Sequence, residues 1–167
     1  MSAAKRFEGL NAELAQVAEQ LATVEIETRA IHEDGKTDGK TLDTLSRLSS
    51  KRAVLTARQA EITAALPAAE YEALVEVSAE RRARLDEVIT TLKAEEVNVS
   101  NQLDELFNYK GVSVSFPEIV RAARPVHELH MAKMRAMNAY DAAEQRRVAF
   151  AFDNGIEIRK RLATPAA

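Results

Sequence analysis

An uninterrupted helical repeat over residues 7–31 constrains the fold more than any other feature of this sequence. Its members recur at spacings of three and four, and they are Phe7, Leu10, Leu14, Val17, Leu21, Val24, Thr28 and Ile31. This spacing is the seam of a helix that packs lengthwise against another helix. The repeat predicts a shape and leaves the chemistry of the protein open.

A second repeat follows the polar segment 33–40, and its members are Leu42, Leu45, Leu48, Arg52, Leu55, Gln59, Ile62 and Leu66. The members of this second repeat, taken from its C-terminal end, pair one by one with the members of the first repeat, taken from its N-terminal end. The pairing predicts an antiparallel helical hairpin. We interpret Arg52 and Gln59 as register-setting interruptions, with the Arg52 stem on the seam and its guanidinium in water.

Further helices are predicted beyond Pro67, which is expected to end or kink the second helix because proline lacks a backbone donor. A third helix should then extend to about Phe107. A fourth should begin at Ser115, which has Glu118 in the capping-box position, and should kink at Pro125. Apolar positions of these two helices also pair in reverse order, which favours a second antiparallel hairpin.

The C-terminal region shows alternating apolar residues over 148–152, turn chemistry at 153–155 and a second alternation over 156–158. This pattern predicts a β-hairpin with a three-residue loop, to which segment 111–116 could add a strand. The alternative is that the fourth helix continues through Phe152 and ends at Asn154 and Gly155 as a C-cap.

The expected fold class is therefore mainly α, with elongated, coiled-coil-like antiparallel helical hairpins in series and a short β-hairpin near the C-terminus. The expected domains are a first hairpin at 1–66, a second at 67–147, and a β-hairpin and tail at 148–167.

Composition narrows the function classes. The chain has no cysteine and only 5% aromatic residues, which excludes disulfides and thiolate chemistry and disfavours an enclosed aromatic pocket. The N-terminal residues lack a signal-peptide pattern, and no apolar run approaches the roughly 20 residues of a membrane span. We expect a protein without membrane contact that is cytoplasmic or belongs to a particle assembled in the cytoplasm.

Two motifs resemble known phosphate-binding and metal-binding motifs but do not match them. The segment 35–41 resembles a phosphate-binding loop, but its glycine spacing is one residue short and a helix precedes it, so a solvated hairpin tip is expected. His130 follows His127 by three positions, whereas the zinc-protease helix motif needs a spacing of four positions. No third ligand is evident. No catalytic residue, metal or cofactor is predicted, and Met131, Met134 and Met137 are interpreted as adaptable packing.

Small and apolar residues outside the seams are the candidate interface residues. The first set, which we call the alanine surface, comprises Ala12, Ala15, Ala22, Ala53, Ala57, Ala60 and Ala64. The second set, which we call the tail residues, comprises Phe150, Phe152, Ile156 and Ile158. Because small residues let helices approach closely, the main hypothesis is a non-enzymatic structural or adaptor subunit in a larger, homo-oligomeric assembly, for example a virus particle or secretion machine.

A nucleic-acid-associated regulator that dimerises through the first hairpin is the alternative hypothesis. Its contacts would be the basic residues near the C-terminus, which are Arg146, Arg147, Arg159, Lys160 and Arg161. Basic residues beside aromatic rings can hold phosphates and stack bases. The acidic balance of the whole chain, with a net charge of −3, makes this partner the less favoured one. A metal-dependent activity at His127 and His130 is a third hypothesis.

Overall fold

The computed structural model describes residues 2–35, 38–110 and 115–158. It contains the helices α1 (Ala3–Asp34), α2 (Gly39–Lys110) and α3 (Phe116–Asp153). Of the described residues 94% are helical and none is in a strand, so the mainly α prediction is confirmed and the β-hairpin is not supported. The chain divides into two compact units, residues 1–73 and residues 74–167.

Helix α1 has defined caps at both ends. The Ser2 side chain accepts a hydrogen bond from the Lys5 backbone N–H at 3.3 Å, which satisfies a donor in the first turn. Gly35 ends the helix in the left-handed conformation at φ 65°, which a residue without a Cβ adopts at little cost. The polar segment that the sequence places after the first seam therefore begins at a glycine cap.

Helix α2 begins at an aspartate cap and continues through Pro67 to Lys110. Of the two alternatives at Pro67, its extent excludes a helix end near Leu66 and shows that the second and third predicted helices are one. Proline removes one backbone hydrogen bond, but alanine, leucine and glutamate around it favour helix. Ile62 and Ala69, seven residues apart on either side of Pro67, are both buried. Burial of one continuous face offsets the cost of the proline.

An aliphatic core joins α1 to the first part of α2 in unit 1–73. Its buried members are Val17, Val24, Leu48, Leu55 and Ile62, and the half-buried residues packed against them are Leu10, Leu14, Leu21, Ile31 and Leu66. All of these belong to the two predicted seams. Leu42, the expected partner of Ile31, is instead 57% exposed.

Exposed ion pairs flank this aliphatic core, and their order gives the direction of the helices. Arg6 pairs with Glu72 at 3.1 Å, Glu13 with Arg58 at 2.6 Å and Glu25 with Arg52 at 3.4 Å. Residue numbers rise along α1 while those of the partners fall along α2, so the two segments run antiparallel. The guanidinium of Arg52 reaches this exposed pair.

Unit 74–167 combines a buried face of α2 with polar contacts from α3. The buried residues on α2 are Ser78, Leu85, Val88, Leu92 and Val99. The Ser78 hydroxyl donates a hydrogen bond to the Glu144 carboxylate.

Two further side-chain contacts join α2 and α3 in this unit. The Arg82 guanidinium lies 5.6 Å from the centre of the Tyr140 ring, within the range of a cation–π interaction. The His130 Nε2 lies 3.3 Å from Glu96 Oε1. These contacts also run in antiparallel order.

The start of α3 agrees with the sequence. The capping box predicted at Ser115 is confirmed: the Glu118 carboxylate accepts hydrogen bonds from the Ser115 backbone N–H at 3.0 Å and from its hydroxyl at 2.8 Å. Pro125 lies inside the helix, which continues to Asp153. The strand suggested at 111–116 falls mostly on 111–114, outside the described residues, while Ser115 caps α3 and Phe116 begins it.

The C-terminal alternation forms the last turns of α3 and not a strand. Gly155 has φ 63°, its N–H donates to the Phe152 carbonyl at 3.2 Å, and the Ile156 N–H donates to the Ala151 carbonyl at 2.8 Å. These bonds are those of a Schellman C-cap. The alternative of a helix that ends at Asn154 and Gly155 is thus confirmed. Alanine alternating with larger residues also fits a helix, in which Ala151 is fully buried.

None of the helices in the described part of the chain combines the length and the apolar character that crossing a lipid bilayer requires.

Candidate functional site

The alanine surface is exposed at every position on α1 and α2. Its members lie beside the seam residues that form the aliphatic core of unit 1–73. Side chains this small allow another backbone to approach a helix closely. The surface is therefore sterically open to a helix from a partner, and it remains a prediction as an interface.

The tail residues do not form the single apolar face that a β-hairpin would give them. Phe152 is 86% exposed, whereas Phe150, Ile156 and Ile158 are half-buried. Residues two apart on a helix point about 200° away from one another, so Phe150 and Phe152 lie on different sides of α3. Ile156 and Ile158 follow the helix and are not in a strand.

The basic residues proposed to contact nucleic acid differ in exposure and in ion pairing. Arg146 is exposed, while the Arg147 guanidinium pairs with Glu144 at 2.8 Å and its side chain is only 16% exposed. The remaining basic residues, Arg159, Lys160 and Arg161, lie outside the described residues. Among the described candidates, Arg147 is engaged in an internal ion pair, which weakens its candidacy as a phosphate ligand.

His127 and His130, whose spacing differs from that of a zinc-protease motif, are exposed on α3. His130 contacts Glu96 on α2. Within the described ranges, no three histidine, cysteine, aspartate or glutamate side chains converge as metal ligands.

The segment that resembles a phosphate-binding loop supplies helix caps at its described positions. Asp38 Oδ1 accepts a hydrogen bond from the Thr41 N–H at 2.8 Å, and hydrogen bonds from the Thr41 side chain and backbone lower the pKa of this carboxyl. A carboxylate that caps the helix N-terminus occupies the place where a phosphate-binding loop needs a free anion site. Lys36 and Thr37 are outside the described residues.

Two open clefts lie near the C-terminal end of α1 and the N-terminal part of α2 in unit 1–73. The larger has a volume of about 580 Å³ and is lined by Glu25, Thr28, Arg29, His32, Glu33 and Arg52. The smaller has a volume of about 220 Å³ and is lined by Ile31, Asp34, Asp38, Lys40, Thr41 and Thr44. Both linings are dominated by charged and hydroxyl side chains, whereas ligand pockets are predominantly apolar.

Sequence reasoning missed an exposed apolar surface on α3, which we call the outer α3 stripe. Its large apolar members are all exposed, and they are Phe116, Val120, Met131, Met134, Val148 and Phe152. The sequence pattern favours packing for the methionines and strands for Phe116, Val148 and Phe152. The spacing of Val120, Met134 and Val148 by multiples of seven was the signal that could have revealed it.

The chain matches no protein-family model, and comparison with curated proteins and with solved structures gave no significant match.

Proposed function

We propose that this protein is a non-enzymatic structural or adaptor subunit that acts through helical and tail surfaces in a larger, homo-oligomeric assembly, such as a virus particle or a secretion machine. The observation that carries the proposal is the 86% exposure of Phe152 in the last turn of α3. Burying such a side chain is worth about 1.5–3 kcal/mol, and a folded monomer leaves that free energy unused.

The proposed architecture is a series of coiled-coil-like antiparallel hairpins. In unit 1–73 the ordered ion pairs and the aliphatic core support it, and in unit 74–167 the contacts of Ser78, Arg82 and Glu96 with α3 support it. Hairpins of this kind offer long helical faces and few concave pockets. Such faces suit binding to other helices, and the exposed alanine surface is one of them.

The test is the absolute mass in solution, measured by light scattering over a range of protein concentrations at low and high salt. We expect a multimer that survives high salt, because apolar contacts are not screened by ions. The variant Phe152→Asp should lower the mass and leave the helical circular dichroism signal unchanged. Val97→Asp, at a side chain 62% exposed on α2, is the matched control and should leave the mass unchanged.

Other outcomes would contradict the proposal. A monomer under every condition would contradict the homo-oligomeric assembly, and an unchanged mass for Phe152→Asp would remove the tail from the interface. DNA binding that weakens with salt and is lost when Arg159, Lys160 and Arg161 become glutamate would instead support the nucleic-acid alternative.

A further inference from the structure

The outer α3 stripe has a regular spacing. Val120, His127, Met134, Asp141 and Val148 recur at intervals of seven residues, and all are exposed. Residues seven apart on a helix share a face, because seven residues are close to two turns. Phe116 lies four residues before Val120, and Phe152 lies four residues after Val148. The aromatic rings therefore extend the same face at both ends.

Apart from Met131, whose mirror position is the half-buried Met137, the stripe also reads the same in both directions from Met134. Val120 and Val148 are equally distant from Met134, and so are Phe116 and Phe152. At half the valine distance stand His127 on one side and Asp141 on the other. A helix with this order is complementary to an antiparallel copy of itself: like apolar residues meet, and the imidazole N–H meets a carboxylate that accepts its hydrogen bond.

We propose that the outer α3 stripe is a two-fold interface between two copies of this chain, whose α3 helices pack antiparallel with Met134 on the symmetry axis. The inference rests on the proposed function and names a second copy as its partner. Phe116 of one copy then contacts Phe152 of the second copy, and Val120 contacts Val148. The His127 and Asp141 pairs, one on each side of the axis, fix the register and the antiparallel direction.

Symmetry explains why a second copy is the occupant. An isologous interface needs one surface that is complementary to itself, and an unrelated helix would not require matching residues at equal distances from a central methionine. At 1.5 Å per residue the stripe is about 54 Å long, and with a helix width of about 10 Å two copies would cover roughly 1,100 Å². This area just exceeds the roughly 1,000 Å² of a specific interface, so we expect association in a concentration-dependent equilibrium.

The absence of cysteine from the chain permits a direct crosslinking test. Met134→Cys places two cysteines together on the symmetry axis, within the Cα separation of about 4.4–6.8 Å that a disulfide requires. Gln145→Cys is the matched control on the same exposed face. Eleven residues from the axis, its two copies would be about 33 Å apart. We expect Met134→Cys to form a covalent dimer under mild oxidation at least tenfold faster than Gln145→Cys.

Charge exchange tests the register independently. Asp141→Lys opposes a cation to His127 and should raise the dimer dissociation constant by about tenfold, since the contact occurs twice in the dimer. The double variant with His127→Asp and Asp141→Lys again places a hydrogen-bond donor opposite a carboxylate and should recover most of the affinity. Sedimentation equilibrium measures both constants, and circular dichroism verifies that the variants are folded.

Each result separates the interface from the proposed function. Equal crosslinking rates for the two cysteine variants, or no recovery in the double variant, would overturn the α3 interface. If the protein nevertheless remains a multimer, the proposed assembly function stands and uses another surface. A wild-type monomer at every concentration would overturn both.

Discussion

Helices α1 and α3 use their apolar residues in opposite ways. The seam residues of α1 are buried or half-buried, and Ile26 is the only large apolar side chain of this fully described helix that is largely exposed. Helix α3 leaves the outer α3 stripe in solvent, while its contacts with α2 include a hydroxyl–carboxylate hydrogen bond and a guanidinium over a ring. The comparison teaches that apolar content alone does not indicate where a core lies.

The difference follows from which residues occupy the inward face. On α1 the seam positions are mostly aliphatic, so packing against α2 covers nearly all of its large apolar side chains and leaves the small side chains of the alanine surface exposed. On α3 the residues in contact with α2 include Tyr140 and Glu144, while the phenylalanine, valine and methionine side chains of the outer α3 stripe are exposed. Unit 1–73 has an aliphatic core and exposes the alanine surface, whereas unit 74–167 exposes the larger apolar side chains of the outer α3 stripe.

The largest expected effect distinguishes buried from exposed isoleucine in unit 1–73. Ile62 is 1% exposed and Ile26 is 67% exposed. Ile62→Ala should lower the free energy of unfolding by about 3 kcal/mol, because it removes buried methylenes and leaves a cavity. Ile26→Ala should change it by less than about 0.5 kcal/mol. Urea unfolding measures both, and similar losses would contradict the placement of the core.

An intermediate effect tests the polar contacts of unit 74–167. Glu144→Ala removes the acceptor of the Ser78 hydroxyl and the partner of Arg147, and should cost about 2 kcal/mol. Glu128→Ala removes an exposed pair with Arg124 on the same helix and should cost about 0.3–0.5 kcal/mol. Hydrogen exchange should show lost protection in unit 74–167 for the first variant, and protection lost equally in unit 1–73 would contradict a local role.

The smallest expected effect is a pH dependence at the N-terminus of α2. Hydrogen bonds from Thr41 lower the pKa of Asp38 in the folded protein. The ionised cap therefore contributes stability above the unfolded pKa, and that contribution disappears as the pH falls through the lowered folded pKa.

The variant Asp38→Asn separates the charge of this cap from its hydrogen bond. Asparagine keeps the cap but has no titrating group, so the wild-type advantage should shrink as the pH falls to about 2. Unfolding free energies of both proteins across pH measure this change, and a constant difference would contradict it.

Much of the first unit could be predicted from sequence because its signal is repeated. The α1 repeat and the aliphatic positions of the α2 repeat specify the same face many times, so single exceptions such as Arg52 do not hide it. The sequence left an end or a kink open at Pro67, because the local penalty of proline does not reveal the continuous buried face on both sides of it. Tertiary burial, which sequence periodicity reports only indirectly, outweighed that penalty.

The C-terminal error has a different cause. Residues 148–152 alternate in size, which is compatible with a strand, but Val148 and Phe152 are also one helical turn apart. Asn154 and Gly155 fit both a hairpin loop and a helix cap, so local chemistry could not decide between them. The outer α3 stripe was missed for the same reason, since two of its members had been assigned to that hairpin.

The two prolines inside helices have a consequence for slow motions of the chain. A proline has no N–H to donate to the carbonyl four residues earlier. The Thr63 carbonyl in α2 and the Arg121 carbonyl in α3 therefore each lack the usual helical hydrogen bond. Local unfolding of a helix starts most easily where a backbone hydrogen bond is already missing. The 72 residues of α2 therefore need not exchange their amide protons as one block, and Pro67 marks the point where local opening can begin without fraying from either end.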